Sequence, residues 1–233
     1  MRSATDPHGT GRVSHGPSND AMKTARWYFD YISPYCHLQN ALLSRFDGLV
    51  HIERKPVLFA ALLDHHGQKG PAEIPSKKVQ TFREVVWLAH RHGIALNLPP
   101  AHPFNPLPML RLSIALGNDP EVVDALFRHV WVDGHLPTDE AAWYALCGRL
   151  GIDEPEEEIA RADVKDALRR NTQEAIAAGV FGVPTLAVDD QLFWGFGMTD
   201  AALAYLGGEP LFRSPLMQRA QSLPDGVHRS GLR

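Results

Sequence analysis

The sequence predicts an α/β fold in which the two ends of one domain build a small sheet and a helical insertion separates them. Three observations carry this expectation. An aromatic, β-branched run occupies residues 26–32, and a paired hairpin pattern sits near residues 184–195. Between about 60 and 178, apolar residues recur at three- and four-residue spacing.

Taken in order, RWYFDYI (26–32) reads as a buried strand that Ser33-Pro34 stops. Serine is a preferred N-cap and proline suits the first helical position, so Ser33 is expected to cap a helix running to about Asp47. LVHIERKPVLF (49–59) follows as a second strand, which makes the opening β-α-β. Five helical patterns come next: FREVVWLAHRHG, LRLSIALG, VVDALFRHVWVDG, AAWYALCGRLG and VKDALRRNTQEAIAAG, several ending in glycine. The Pro- and Gly-rich stretches Gly67–Pro75 and Pro99–Pro108 read as loops, and Glu154–Glu158 as a solvated helix start. VPTLAVDD and QLFWG flank an Asp189-Asp190-Gln191 turn and read as a hairpin, with TDAALAYLG as a short last helix. The expected organisation is a mobile extension over 1–21, a discontinuous sheet domain over 22–59 and 179–209, a helical insertion over 60–178 and a flexible tail over 210–233. Met22, directly before the first strand, is the expected functional start.

Composition narrows the function classes. The chain has 233 residues, 44% of them hydrophobic and 21% charged, as in ordinary globular proteins. Its net charge of -4 gives no electrostatic reason to expect nucleic acid or an anionic membrane as partner. No apolar run is long enough to span a bilayer and no apolar signal core opens the chain, so a cytoplasmic location is the default expectation. Cys36 and Cys147 are the 2 cysteines, which excludes a disulfide-built scaffold and a CxxC zinc site. Of the 12 histidines, His65-His66 and His90-Arg91-His92 fall on different helix faces, so no metal is expected. Cys147, Trp87, Trp131 and Trp143 read as core or interface residues, and Cys36 as a small buried one. Lys77 and Lys78 are placed either to steer an anionic substrate or to solvate a helix start.

The chemistry concentrates at Ser33. A strand-to-helix junction carries unpaired N–H groups and positive potential, and so favours an anion such as a thiolate. Ser33-Pro34-Tyr35-Cys36 is a CxxC pattern whose first sulfur has become a hydroxyl. A dithiol oxidase is therefore disfavoured, because Ser33 cannot form a mixed disulfide.

Several motifs together carry a family resemblance. They are SPYC after an aromatic strand, Gly179-Val180-Phe181-Gly182-Val183-Pro184-Thr185, and a hairpin ending Leu192-Phe193-Trp194-Gly195. Lys55-Pro56, the Gly67–Pro71 loop with Lys77 beyond it, and Pro99 through Asn105 extend the match across residues 24–207. The chain so resembles the 2-hydroxychromene-2-carboxylate isomerases, relatives of kappa-class glutathione transferases on a DsbA-like thioredoxin fold. The resemblance implies a glutathione-dependent isomerase of aromatic-compound breakdown, with glutathione and a small aromatic carboxylic acid as partners, acting as a homodimer. It implies that Ser33 donates to the glutathione sulfur and is the catalytic residue. It further implies that Pro184 is cis, that the Val183 backbone pairs with glutathione, and that Trp194, Gly195, Phe196 and Gly197 border its γ-glutamyl end. Gly67, Gln68, Phe104 and Asn105 would line the aromatic-acid pocket. Where the isomerases commonly carry Asn-Asp-Arg, this chain has Phe196-Gly197-Met198, and Gln68 stands where they commonly have Asn. A kappa-like transferase or thiol-disulfide oxidoreductase is one alternative, and a non-catalytic binder of thiol peptides or small acids is another.

Overall fold

The computed structural model describes residues 22–224 and 226; segment 1–21, expected to be mobile, lies outside the described residues. Strands β1 (Thr24–Phe29), β2 (His51–Pro56), β3 (Thr185–Val188) and β4 (Gln191–Trp194) form one mixed sheet in the order β2-β1-β3-β4. β1 runs parallel to β2, with Phe29 opposite Pro56, and antiparallel to β3, with Ala25 opposite Val188. A parallel neighbour needs a crossover, here α1 (Pro34–Asn40) and a 3₁₀ turn over Leu43–Phe46. β3 and β4 form the hairpin, in which Asp189 adopts a left-handed φ of 54. Lys23 and the Tyr205 hydroxyl both donate to the Asp189 carboxylate at 2.8 Å, tying this turn to the start of β1 and to the last sheet-domain helix.

Seven helices lie between β2 and β3: α2 (Phe59–His65), α3 (Pro75–His92), α4 (Leu107–Ala115), α5 (Pro120–Trp131), α6 (Glu140–Arg149), α7 (Pro155–Ala160) and α8 (Ala162–Ala177). After β4 come α9 (Thr199–Leu206) and α10 (Pro215–Gln221). Proline opens α1, α3, α5, α7 and α10, where its missing N–H has no intrahelical partner to lose. Asp119 and Asp139 cap α5 and α6 through the N–H groups of Glu121 and Ala142, and Gly93, at φ 64, closes α3.

Four expectations shift, each for a physical reason. β1 stops at Phe29 because the Asp30 carboxylate takes the Ile32 N–H and turns the chain. The helix after Ser33 ends at Asn40, and its tightened continuation turns Leu43 and Phe46 into the core. β2 ends at Pro56, which has no N–H for a ladder, and α2 begins three residues on. The tail beyond Pro210 carries a 3₁₀ turn and α10, because Phe212 packs on Tyr205 and Phe193 with ring centroids 5.3 and 5.9 Å away.

The core is continuous across sheet and helices. Trp27 and Phe29 stack at 4.3 Å, and Phe127 of α5 lies across Trp27, Phe29 and Tyr31 at 6.1, 5.7 and 4.6 Å. Trp131, Trp143 and both cysteines are buried, whereas Trp87 is 60% exposed on the outer face of α3. Among the described residues no helix is long and apolar enough to cross a membrane, and no group of three His, Cys, Asp or Glu side chains is placed to hold a metal.

Candidate active site

Ser33 stands at the end of a four-residue link, Asp30–Ser33, that belongs to no regular element. Its backbone groups are satisfied one by one, as burial requires. Trp131 Nε1 donates to the Tyr31 carbonyl at 2.9 Å, and the Ile32 N–H donates to Asp30 Oδ1 at 3.0 Å. The Ile32 carbonyl accepts from His102 Nε2 at 2.9 Å, and the Ser33 N–H donates to the Asp30 carbonyl at 3.1 Å. Ser33 then caps α1, its Oγ accepting weakly from the Cys36 N–H at 3.4 Å. Its hydroxyl hydrogen reaches no oxygen or nitrogen acceptor among the described residues; its side-chain neighbour is the Cys36 thiol, a weak acceptor that a ligand can displace. Because α1 has only seven residues, its dipole is small, and specific donors must carry most of any charge stabilisation here.

Two buried acids lie beneath the serine. Cys36 is fully buried in the first turn of α1, and burial drives its thiol pKa up, so it stays neutral and unreactive. Cys147 is free and buried in α6, and neither cysteine forms a disulfide. Asp30 is wholly buried; desolvation raises its pKa to about 7 against the opposing hydrogen bonds from the N–H groups of Phe59, Ile32 and Tyr31. Its Oδ2 accepts from Phe59 N at 2.9 Å, which joins the end of β1 to the start of α2.

The opposite wall comes from the segment before β3 and the turn after β4. The Val183-Pro184 bond is cis, as the resemblance implies; a second cis bond, His102-Pro103, was not anticipated. Thr185 Oγ1 donates to the Gly182 carbonyl at 2.7 Å and Gly195 N to the Pro184 carbonyl at 2.8 Å. No described residue engages the Val183 N–H or C=O. Gly195 sits at φ 87 and ψ 161, a conformation essentially reserved for glycine. A buried amide locks this turn onto α1: Gln39 Oε1 accepts from Trp27 Nε1 at 2.7 Å, and Gln39 Nε2 donates to Thr199 Oγ1 at 2.9 Å and to the Gly195 carbonyl at 3.4 Å.

These walls enclose a cavity of about 1140 Å³. It gathers Ser33, Val183, Trp194, Gly195, Phe196 and Gly197, with Gln68 and Phe104 of the helical segment. Three expected residues lie outside its wall. Pro184 contributes only the carbonyl that holds Gly195. Gly67 closes the turn after α2, its N–H donating to the Asp64 carbonyl. Asn105 turns its Oδ1 onto the Leu107 N–H at the start of α4. Phe196 is buried, packing with Leu38, Val85 and Ala89 as well as lining the cavity. Lys55 is engaged elsewhere, with Glu53 and Glu174 at 2.9 and 3.3 Å. Sequence reasoning missed Asp30 and His102, both in the wall, and the aromatic rings of Phe59 and Phe82. The signal for Asp30 was a charged residue closing an otherwise apolar strand; His102 had none, since its role depends on a contact 70 residues away. Lys78, Lys69 and Arg91 bring positive charge to the rim, whereas Lys77 lies outside it.

The comparisons with known proteins agree with this architecture. The model of the DSBA-like thioredoxin domain matches residues 24–206. The 2-hydroxychromene-2-carboxylate isomerase of Sphingobium xenophagum is 29% identical over 194 residues, 79% of this chain and 98% of that protein. Human glutathione S-transferase kappa 1 is 26% identical over 207 residues, covering 80% of this chain and 92% of the relative. The solved structure of a 2-hydroxychromene-2-carboxylate isomerase superposes with a TM-score of 0.70 at 22% identity, over 87% of this chain and all of that one, and so supports the fold. Four strands in this order, a serine capping the first helix and a cis proline before β3 accompany that match: the chain belongs to the DSBA-like thioredoxin domain family.

Proposed function

We propose that this chain is an isomerase of small aromatic carboxylic acids that works with bound glutathione, as its similarity to the 2-hydroxychromene-2-carboxylate isomerases suggests. The observation that carries this reading is one cavity whose lining brings together the hydroxyl of Ser33, the unengaged Val183 backbone and the rings of Phe59, Phe82 and Phe104. The tripeptide fits the groups present: an extended thiol peptide needs a backbone partner, which Val183 offers, and a sulfur donor, which Ser33 offers. When bound, it supplies a thiolate that adds to a conjugated carbon, allows rotation about the former double bond and leaves again. Ser33 holds the sulfur through its hydroxyl hydrogen and so favours the anion over the thiol. The rings of Phe59, Phe82 and Phe104 exclude water and take the aromatic body of the acid, while Lys69, Lys78 and Arg91 attract its carboxylate. No carboxylate stands at Phe196-Gly197-Met198, but Asp200, two residues on, reaches the cavity wall and pairs with Arg45 at 2.8 Å; it is the group offered to the γ-glutamyl ammonium.

Calorimetric titration with glutathione, followed by spectrophotometry of a hydroxychromene carboxylate, tests the reading. Isomerisation should require glutathione and should fall about a hundredfold in Ser33→Ala, the size expected for losing one hydrogen bond to a developing anion. Equal rates with and without glutathione would refute it. A kappa-like transferase is the second reading, favoured by the match to human glutathione S-transferase kappa 1. It predicts conjugation of glutathione to an electrophile in place of isomerisation.

A further inference from the structure

The link that carries Ser33 is held from the helical segment by two side chains that the proposed reaction does not use, Trp131 on the Tyr31 carbonyl and His102 on the Ile32 carbonyl next to the serine. We propose that His102 is a positioning residue for Ser33, its Nε2–H on the Ile32 carbonyl fixing the peptide to which the serine is attached. The Ile32–Ser33 peptide is a rigid plane, so the direction of its carbonyl sets where the Ser33 nitrogen and Cα lie. The N–H of that plane is bound to the Asp30 carbonyl at 3.1 Å and its C=O to His102 at 2.9 Å. Removing the imidazole leaves the C=O without a donor and the plane held at one end.

The surroundings of the ring prepare it for this task. Phe82, Phe104 and Trp131 stand around it with centroids at 5.2, 6.0 and 6.0 Å, and Lys78 Nζ donates to the His102 carbonyl. Its Nδ1 is buried with no partner among the described residues. Burial, reinforced by the charge of Lys78, lowers the pKa of the ring, so it is neutral at pH 7. A carbonyl can only accept, so the proton must sit on Nε2 and the lone pair on Nδ1. Because Phe104 and Phe82 also line the cavity, the acid end and the serine end share this residue.

The idea rests on the reading that Ser33 serves a bound thiol, but part of its test does not. Long-range proton–nitrogen spectra of the ligand-free wild type should show the Nε2-protonated neutral ring at pH 7; an Nδ1-protonated ring overturns the proposal. His102→Leu removes the donor, whereas His102→Gln keeps an N–H in reach. Amide exchange at Ser33 and Cys36 should rise about tenfold or more in His102→Leu, the factor expected for an orphaned buried carbonyl. It should stay near wild type in His102→Gln, with the amides of α8 unchanged in both. With glutathione, the bound thiol, followed by its ultraviolet thiolate absorbance, should titrate at higher pH in His102→Leu than in His102→Gln. Affinity for S-methylglutathione, which has no ionisable thiol, should be alike in all three proteins. Identical exchange and identical thiol titration in wild type and His102→Leu overturn the proposal. If wild type binds no glutathione, the functional reading fails, and tautomer and exchange still decide the role of His102. The tautomer also decides it if His102→Leu does not fold.

Discussion

Asp30 makes this protein's stability depend on pH in the opposite sense to an ordinary surface carboxylate. In the folded chain it holds its proton up to pH about 7; once unfolded, it releases it near the ordinary aspartate value of 3.8. Between those limits the unfolded state binds fewer protons, so the stability that Asp30 contributes is fully present below pH about 4 and is lost as pH rises through about 7. A displacement of about 3 pKa units at about 1.4 kcal/mol each corresponds to about 4 kcal/mol lost across that window. Asp30→Asn isolates this contribution. The amide keeps one acceptor for the N–H groups of Ile32 and Phe59 and loses the other, a cost of about 1–3 kcal/mol that does not vary with pH. Urea unfolding of both proteins at intervals from pH 4.5 to 8.5 reads the difference directly. Wild type should be the more stable at the acid end, and its advantage should shrink steadily, by a few kcal/mol, towards pH 8. A difference that is flat with pH, or that grows as pH rises, refutes the assignment of a neutral buried carboxyl.

Other perturbations read other parts of the site. Gln39→Leu leaves Trp27 Nε1 buried without an acceptor and cuts α1 from Thr199, and should lower stability by about 2–4 kcal/mol in thermal or urea unfolding. A loss under 0.5 kcal/mol would show that the amide network contributes little. A methyl on Gly182 would lie 2.5 Å from Trp194 Nε1, so Gly182→Ala must displace the indole; its cost should shrink in a Trp194→Phe background, and strict additivity in the double-mutant cycle would exclude the clash. With both cysteines buried and both thiol pKa values raised, the native protein at pH 7 should react with a disulfide reagent only at the rate of unfolding. Rapid native modification of one thiol would contradict that.

What was legible in the sequence is what local backbone chemistry decides. Ser33-Pro34 announces a capped helix, the Gly-Val-Pro-Thr run before a hairpin marks the Val183–Thr185 segment, and an aromatic, β-branched run marks β1; the first two meet at the cavity, and β1 leads to it through Asp30. Residues whose role is created by docking left no local trace. His102 reaches Ile32, and Gln39 reaches Thr199, only because distant segments pack together. Two loop residues carried over from the resemblance, Gly67 and Asn105, are consumed by their own turns: the first donates to Asp64, the second accepts from Leu107. The length of α1 was misread because apolar spacing continues through Leu43 and Phe46, although those side chains enter the core from a tighter turn.

The sheet order has a consequence for how the chain is made. β1 must pair with both β2 and β3, yet the whole helical segment is synthesised between those two partners. At about 5–20 residues per second, β3 leaves the ribosome on the order of ten seconds after β2, leaving one long edge of β1 open meanwhile. That edge belongs to a strand carrying Trp27 and Phe29, the kind of surface that recruits other chains. Phe127, which lies on Trp27, Phe29 and Tyr31, is translated before β3. α5 can therefore shield the aromatic face of β1 during that interval, and a helix that packs the mature core doubles as a guard for the nascent strand.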